Sequence, residues 1–219
     1  ELIVNLSASP FSYIQQEQRL KVLQANVARY KIPLVYVNQV GAQTELIFDG
    51  GSMVMNEAGE VICQLPFFEE KIEVIEIGEE PSSSSLVLRP SSLVPLMHDA
   101  LVLGIRDYFS KLGFKKAILG LSGGIDSAVV LCLAVEALGK ENVLSVLLPS
   151  EFSSQHSIDD SLALVKNLNS PHEIVPIENA YNAFEATMKP YFKDLPFNVA
   201  EENIQSRSRA VILMAFCNK

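Results

Sequence analysis

Leu121-Ser122-Gly123-Gly124-Ile125-Asp126-Ser127 sits between two differently patterned runs. Upstream, Lys116 to Leu121 is a continuous apolar run that reads as a strand; downstream, Ile125 to Leu138 has helical spacing and stops at Gly139. In open parallel sheets ligands bind at the carboxyl ends of strands, where this loop falls. Gly123 and Gly124 are expected to let the backbone adopt positive φ and approach an anion closely. The first helical amides and the hydroxyls of Ser122 and Ser127 would supply donors for a phosphate. The loop contains no Lys, which excludes a Walker A sequence, and G-x-G-x-x-G is absent. A carboxylate beside a phosphate is repulsive unless a cation lies between them, so Asp126 is predicted to hold Mg²⁺ bridging phosphate oxygens. The plainer alternative is a tight Gly-Gly turn capped by Ser and Asp. Against it, the next strand ends in Leu147-Leu148-Pro149-Ser150, beside the same crevice.

Outward from the loop, Leu93 to Leu112 repeats apolar residues at helical spacing. Val143 to Leu148 reads as a strand, Ser157 to Leu168 as a helix, Ile174 to Ile177 as a strand and Asn179 to Phe192 as a helix. Alternating elements on short connections predict an α/β fold, an open parallel sheet with helices on both faces. Before residue 78 the pattern differs. Leu2 to Leu6 and Pro33 to Val40 read as strands around a helix over Gln16 to Tyr30, with Leu20, Leu23, Val27 and Tyr30 on one face. Gly41-Ala42 then suggests a turn, and short extended runs follow at Glu45 to Phe48, Ser52 to Met55 and Val61 to Leu65, part of a layered α/β domain. Between the two regions lies a stretch rich in Ser, Pro and Glu. The expected division is therefore 1–79, a linker at 80–92, and 93–219.

With 17 Lys and Arg against 26 Asp and Glu, the net charge of −9 argues against a nonspecific grip on nucleic acid or anionic lipid. No apolar run approaches the roughly 18 residues of a membrane span. Cys63, Cys132 and Cys217 form no CxxC pair, which fits a reducing cytoplasm rather than a disulfide framework. His98, His156 and His172 show no metal-ligand spacing. Glu1 opens in an apolar run without a signal-peptide pattern, and Lys219 ends in a helical one; the sequence reads as an internal fragment.

Ser122-Gly123-Gly124-Ile125-Asp126-Ser127 resembles the motif of the N-type ATP pyrophosphatases, which cleave ATP between its α and β phosphates and adenylate a carbonyl oxygen. Three further stretches resemble the glutamine-dependent NAD synthetases: Leu148 to Ser161, Glu202 to Arg209, and Val37 to Ser52. The last, with Asn5 to Phe11, is similar to the second half of the nitrilase-like glutaminase domain of that family, an α/β sandwich. The second region then looks like an adenine nucleotide alpha hydrolase-like (Rossmann-like) sheet. The resemblance implies that Ser122, Gly123, Gly124 and Ser127 hold ATP phosphates, that Asp126 binds Mg²⁺, and that Leu148, Ser153 and Ser154 surround the nucleoside. Asn203 and Arg207, one helical turn apart, would contact deamido-NAD. Ser206 and Ser208 depart from the family's usual Ala in this helix, which leaves a solvated helix face as the other reading of the pair.

The implied reaction amidates deamido-NAD with ammonia from glutamine and releases AMP and pyrophosphate. The family's glutaminase Glu, Lys and Cys lie upstream of Asn5 in its order and are not in this chain, so the chain alone is expected to be inactive. Cys63 reads as a structural residue of a strand. Ser9 either lines a glutamine pocket or opens a turn. Relatives of this kind form homo-oligomers, and the apolar helix at Leu93 to Leu112 calls for a partner surface. Two alternatives stay open: another ATP pyrophosphatase of GMP synthetase or tRNA-modifying type, and a catalytically silent nucleotide-binding module.

Overall fold

The computed structural model describes residues 1–77, 93–193 and 195–219, so the predicted linker at 80–92 lies outside the described residues. The chain divides into two compact units, Glu1–Leu112 and Gly113–Lys219.

The first unit opens with β1 (Ile3–Ser7), α1 (Gln15–Tyr30) and β2 (Leu34–Asn38). The helix returns the chain to the same end of the sheet, so β1 and β2 pair in parallel from Ile3↔Leu34 to Ser7↔Asn38. Leu23 and Val27 of α1 bury against Leu34 and Tyr36 of β2 and against Met53 and Met55, with Leu20 packed beside them. Tyr30, expected on that face, is exposed, because the helix ends there: Lys31 turns left-handed and donates its amide to Val27. After β2 come β3 (Val40–Gln43), β4 (Leu46–Asp49), β5 (Met53–Met55) and β6 (Val61–Gln64). The four-stranded sheet runs β1-β2-β5-β6, and β3-β4 form a separate ribbon. The predicted strand at Pro33 to Val40 is thus split at Gln39, whose amide bonds Ser7 while its carbonyl accepts from Gly50. Gly41 and Ala42 are not a turn; they pair with Phe48 and Ile47 across the ribbon. That pairing supplies hydrogen bonds that local sequence does not announce.

A buried ion pair pins the ribbon beneath α1. Arg19 grips Asp49 at 3.0 and 3.2 Å, and Asp49 is wholly inaccessible. Asn38 also donates to Asp49. Removing one partner of such a pair costs about 3–5 kcal/mol, since a charge is left buried and unmatched. The unit closes with α2 (Leu93–Leu112), which rests on the ribbon. Asp107 accepts from the Ala42 amide at 2.7 Å, Lys111 donates to the Ala42 carbonyl, and Gly104 allows Ile47 to approach closely.

The second unit holds a parallel sheet ordered β7 (Ala117–Leu121), β8 (Val143–Leu147), β9 (His172–Ile174). Its helices are α3 (Ile125–Leu138), α4 (Gln155–Leu168), α5 (Glu178–Phe192) and α6 (Val199–Cys217). Alternation along β7 and β8 sorts the layers. Leu121, Val143 and Leu147 face Leu131 and Ala134 of α3 and Val165 of α4. Val146 and Leu148 point the other way, with Ile212 and Leu213 of α6 packed on them. The predicted sheet with helices on both faces is what forms. β9 lies earlier than the expected Ile174 to Ile177, yet Val175 and Ile177 still donate to Leu147 and Pro149, so the chain stays bonded to the edge of β8 through Ile177. α6 starts in a capping box, with Asn198 accepting from Ala200 and Glu201 from the Asn198 amide. Among the described residues, no helix is long and apolar enough to cross a membrane.

Candidate functional site

β7 ends at Leu121 and α3 begins at Ile125, so residues 122–124 lie on the carboxyl rim of the sheet, as the sequence predicts. Gly123 has φ +82° and passes under the first turn of α4; a Cβ there would stand 2.7 Å from the Cα of Ser157. Only glycine fits that crossing. Gly124 differs from expectation, being extended at φ −81°, ψ 153°, a conformation any residue adopts. Its role is to enter the helix, and it offers no side-chain cap.

The hydroxyls shape the loop. Ser127 Oγ donates to the Gly124 carbonyl at 2.9 Å, so the 3.0 Å contact between the two hydroxyls uses the Ser122 proton. The amides of Ser122 and Gly124 are taken by Ser127 Oγ and Ser122 Oγ. Ala128 donates to Gly124, closing the first helical turn. Gly123, Ile125, Asp126 and Ser127 keep amides with no partner among the described residues, at the positive end of the α3 dipole. The loop is therefore an anion cradle built from main chain and held in shape by two serines. Asp126 is exposed in the first turn of α3. Among the described residues no three acidic, His or Cys side chains converge on a metal. One carboxylate beside an anion cradle suits Mg²⁺, which commonly takes one or two protein carboxylates and completes its shell with phosphate oxygens and water.

The far wall comes from the end of β8. Ser153 closes a small turn, accepting from the Ser150 amide at 3.0 Å and donating its own amide back to Ser150. A cavity of about 260 Å³ lies between the two walls, lined by Ser122, Leu148, Ser153, Ser157, Ile158 and Arg209 among others. Of the predicted nucleoside residues, Leu148 and Ser153 line it. Ser154 instead caps α4, its hydroxyl accepting from the Ser157 amide at 3.1 Å. Asn203 and Arg207 are both exposed on α6, four residues apart. The opposite face of the helix turns to the sheet. There Gln205 accepts from Ser150 Oγ at 3.2 Å, and Arg209 donates to the Leu148 carbonyl at 3.0 Å and to Ser150 Oγ at 3.3 Å. Burial pushes the Arg209 guanidinium below its ordinary pKa. Sequence reasoning missed Arg209, Gln205 and Ser157 as parts of this wall; the i, i+4 spacing of Gln205 and Arg209 was the available signal.

In the first unit, Ser9 follows β1 and joins the buried network: its amide donates to Asn38 Oδ1 at 2.9 Å and its hydroxyl accepts from Arg19 at 3.1 Å. Among the described residues the Ser9 O–H has no acceptor.

A glycine turn with unpartnered amides at the carboxyl rim of a parallel sheet defines the second unit as an α/β domain whose rim suits an anionic ligand. Residues 97–219 match the NAD synthase family model and residues 1–80 the carbon–nitrogen hydrolase model. The chain belongs to the NAD synthase family. It is similar to the glutamine-dependent NAD(+) synthetase of Synechocystis sp., with 47% identity over all of this chain and 40% of that protein. It is also similar to a solved glutamine-dependent NAD+ synthetase from Acinetobacter baumannii in complex with ADP, with TM-score 0.93 and 35% identity, covering all of this chain and 42% of that one. An NMN synthetase from Francisella tularensis matches 57% of this chain and 50% of its own at TM-score 0.52 and 31% identity. The chain thus spans less than half the length of the glutamine-dependent relatives.

Proposed function

We propose that this chain is the central part of a glutamine-dependent NAD synthetase, which converts deamido-NAD to NAD at the expense of ATP with ammonia drawn from glutamine. The observation that carries the reading is the loop at 122–127: a cradle of unpaired amides opening beside a cavity, in a chain 47% identical to a synthetase of that name. In this reading residues 1–79 belong to the ammonia-generating domain and 93–219 to the domain that uses ATP.

The amides of Gly123, Ile125, Asp126 and Ser127 bind the phosphates of ATP, with Ser122 and Ser127 holding the loop in shape and Gly124 leading into the helix. Asp126 holds Mg²⁺, which when bound offsets phosphate charge during adenylation. Leu148 and Ser153 border the nucleoside, and Ser154 contributes by fixing the start of α4. Asn203 and Arg207 contact deamido-NAD, where Arg207 suits a dinucleotide phosphate. Ser9 lines the glutamine pocket. The nicotinate carboxylate attacks ATP to give an adenylate and pyrophosphate; ammonia then displaces AMP and leaves the amide. The enzyme works in the cytoplasm as a homo-oligomer, a state consistent with the exposed Val94, Leu101 and Tyr108 along α2.

The test is titration calorimetry of ATP with Mg²⁺ into the chain, followed by AMP release in the full-length protein with deamido-NAD, xanthylate or no acceptor. The expected outcome is ATP binding by the chain and AMP release that requires deamido-NAD. AMP release driven by xanthylate instead would move the assignment to a GMP synthetase, and ATP binding without turnover under any condition would favour a silent module.

A further inference from the structure

The connection after β8 is one wall of the cavity, yet little within it holds it in place beyond the Ser150–Ser153 turn. From outside, the Ile177 amide bonds the Pro149 carbonyl and Phe152 packs against Tyr181 and Phe197, while α6 reaches the same connection from the opposite face of the sheet from α3 and α4. Arg209 reaches from that helix to the rim, with Nε on the Leu148 carbonyl and Nη2 on Ser150 Oγ. Leu148 lies just beyond β8, where Arg209 takes up its carbonyl. Ser150 Oγ accepts from Arg209 and donates a hydrogen bond to Gln205 Oε1, so two residues of α6 fix one hydroxyl from both sides. The same residue's amide donates to Ser153 Oγ, carrying the constraint on to the cavity wall. Of the described residues lining the cavity, Arg209 alone is charged. Two of its donors are nevertheless spent on protein atoms, in the planar fork that lysine cannot reproduce.

We infer that Arg209 is a positioning residue for the nucleotide: through Ser150 it sets the distance between the Ser153 wall and the phosphate loop, and its geometry matters more than its charge. This rests on the nucleotide reading of the cavity. It is distinct from the Asn203 and Arg207 pair, which lies on the exposed side of the same helix.

The experiment is calorimetric titration of ADP into the chain and into Arg209→Lys, Ser150→Ala and the double variant, with circular dichroism melts of each. Arg209→Lys keeps the charge but loses the fork, and it is expected to weaken ADP by about tenfold, the worth of a charge-assisted hydrogen bond. Ser150→Ala should weaken it comparably, and the double variant no more than the worse single, because both act through one linkage. A melt alone would register any structural role; the shared loss in ADP affinity registers this one. Wild-type affinity in Arg209→Lys, or losses that multiply in the double variant, overturns the inference while leaving the nucleotide reading intact. Should Arg209→Lys fail to fold, Ser150→Ala decides, and unchanged affinity there is equally fatal. If the unsubstituted chain does not bind ADP, the nucleotide reading itself falls.

Discussion

Replacing Gly123 by alanine adds a single methyl group at the point where the loop crosses under α4. At φ +82° an L-residue costs about 1–3 kcal/mol. The new Cβ would also lie 2.7 Å from the Ser157 Cα, main chain that can yield only if the first turn of α4 moves. Overpacking of that kind costs about another 1–3 kcal/mol. A destabilisation of about 2–6 kcal/mol is expected, a large part of the roughly 5–15 kcal/mol that typically holds a domain together. Gly124→Ala is the matched control, since its backbone is extended and a Cβ there would meet only Ser122 Oγ at 3.4 Å. It should fall within about 1 kcal/mol of wild type, and removing glycine flexibility from the unfolded chain even favours it. Urea unfolding followed by far-UV circular dichroism separates the two, the chain having no Trp to report by fluorescence. Equal stability of the two variants would refute the reasoning about this crossing.

Asp126→Asn should change stability little, by about 0.3–1 kcal/mol from the lost interaction with the α3 dipole, because the side chain is exposed. Its effect should appear in calorimetry as ATP binding that no longer responds to Mg²⁺; a preserved response would count against its metal role. Asn198→Ala removes the acceptor of the α6 capping box and should cost about 0.5–2 kcal/mol, read from melts and from faster hydrogen exchange at Ala200. Burial, then the hydrogen bond donated to Glu185, raises the Tyr181 pKa above the ordinary tyrosine value. The folded state therefore keeps a proton that the unfolded state releases, and stability should decline as pH rises past about 10. The difference in 295 nm absorbance between wild type and Tyr181→Phe should titrate later than the remaining tyrosines; coincident titration would contradict this.

The parts of the fold legible in sequence were those with strong local punctuation. Helix α3 was readable to the residue, because Gly124 and Gly139 flank one apolar run, and α2 likewise between its Ser-rich approach and Gly113. What escaped depended on distant partners. Gly41-Ala42 looks like a turn until β4 provides the ladder opposite it. The Arg19–Asp49 pair joins residues thirty positions apart, and Arg209 meets a carbonyl sixty-one positions away. Asp107 and Lys111 of α2 likewise meet the amide and the carbonyl of one residue, Ala42, sixty-five and sixty-nine positions away. Within the site, the loop's position and the need for Gly123 could be read from spacing, whereas the inward turn of both hydroxyls and the extended Gly124 could not. Those depend on a hydrogen-bond ring closed only once α3 has formed.

The most direct measurement is an amide chemical-shift titration of the ¹⁵N-labelled chain with ATP, with and without Mg²⁺. Large shifts at Gly123, Ile125, Asp126 and Ser127, with smaller ones at Ser153 and Leu148, are the predicted result. Saturable binding that leaves those four amides unmoved would contradict the phosphate cradle on which the functional reading stands.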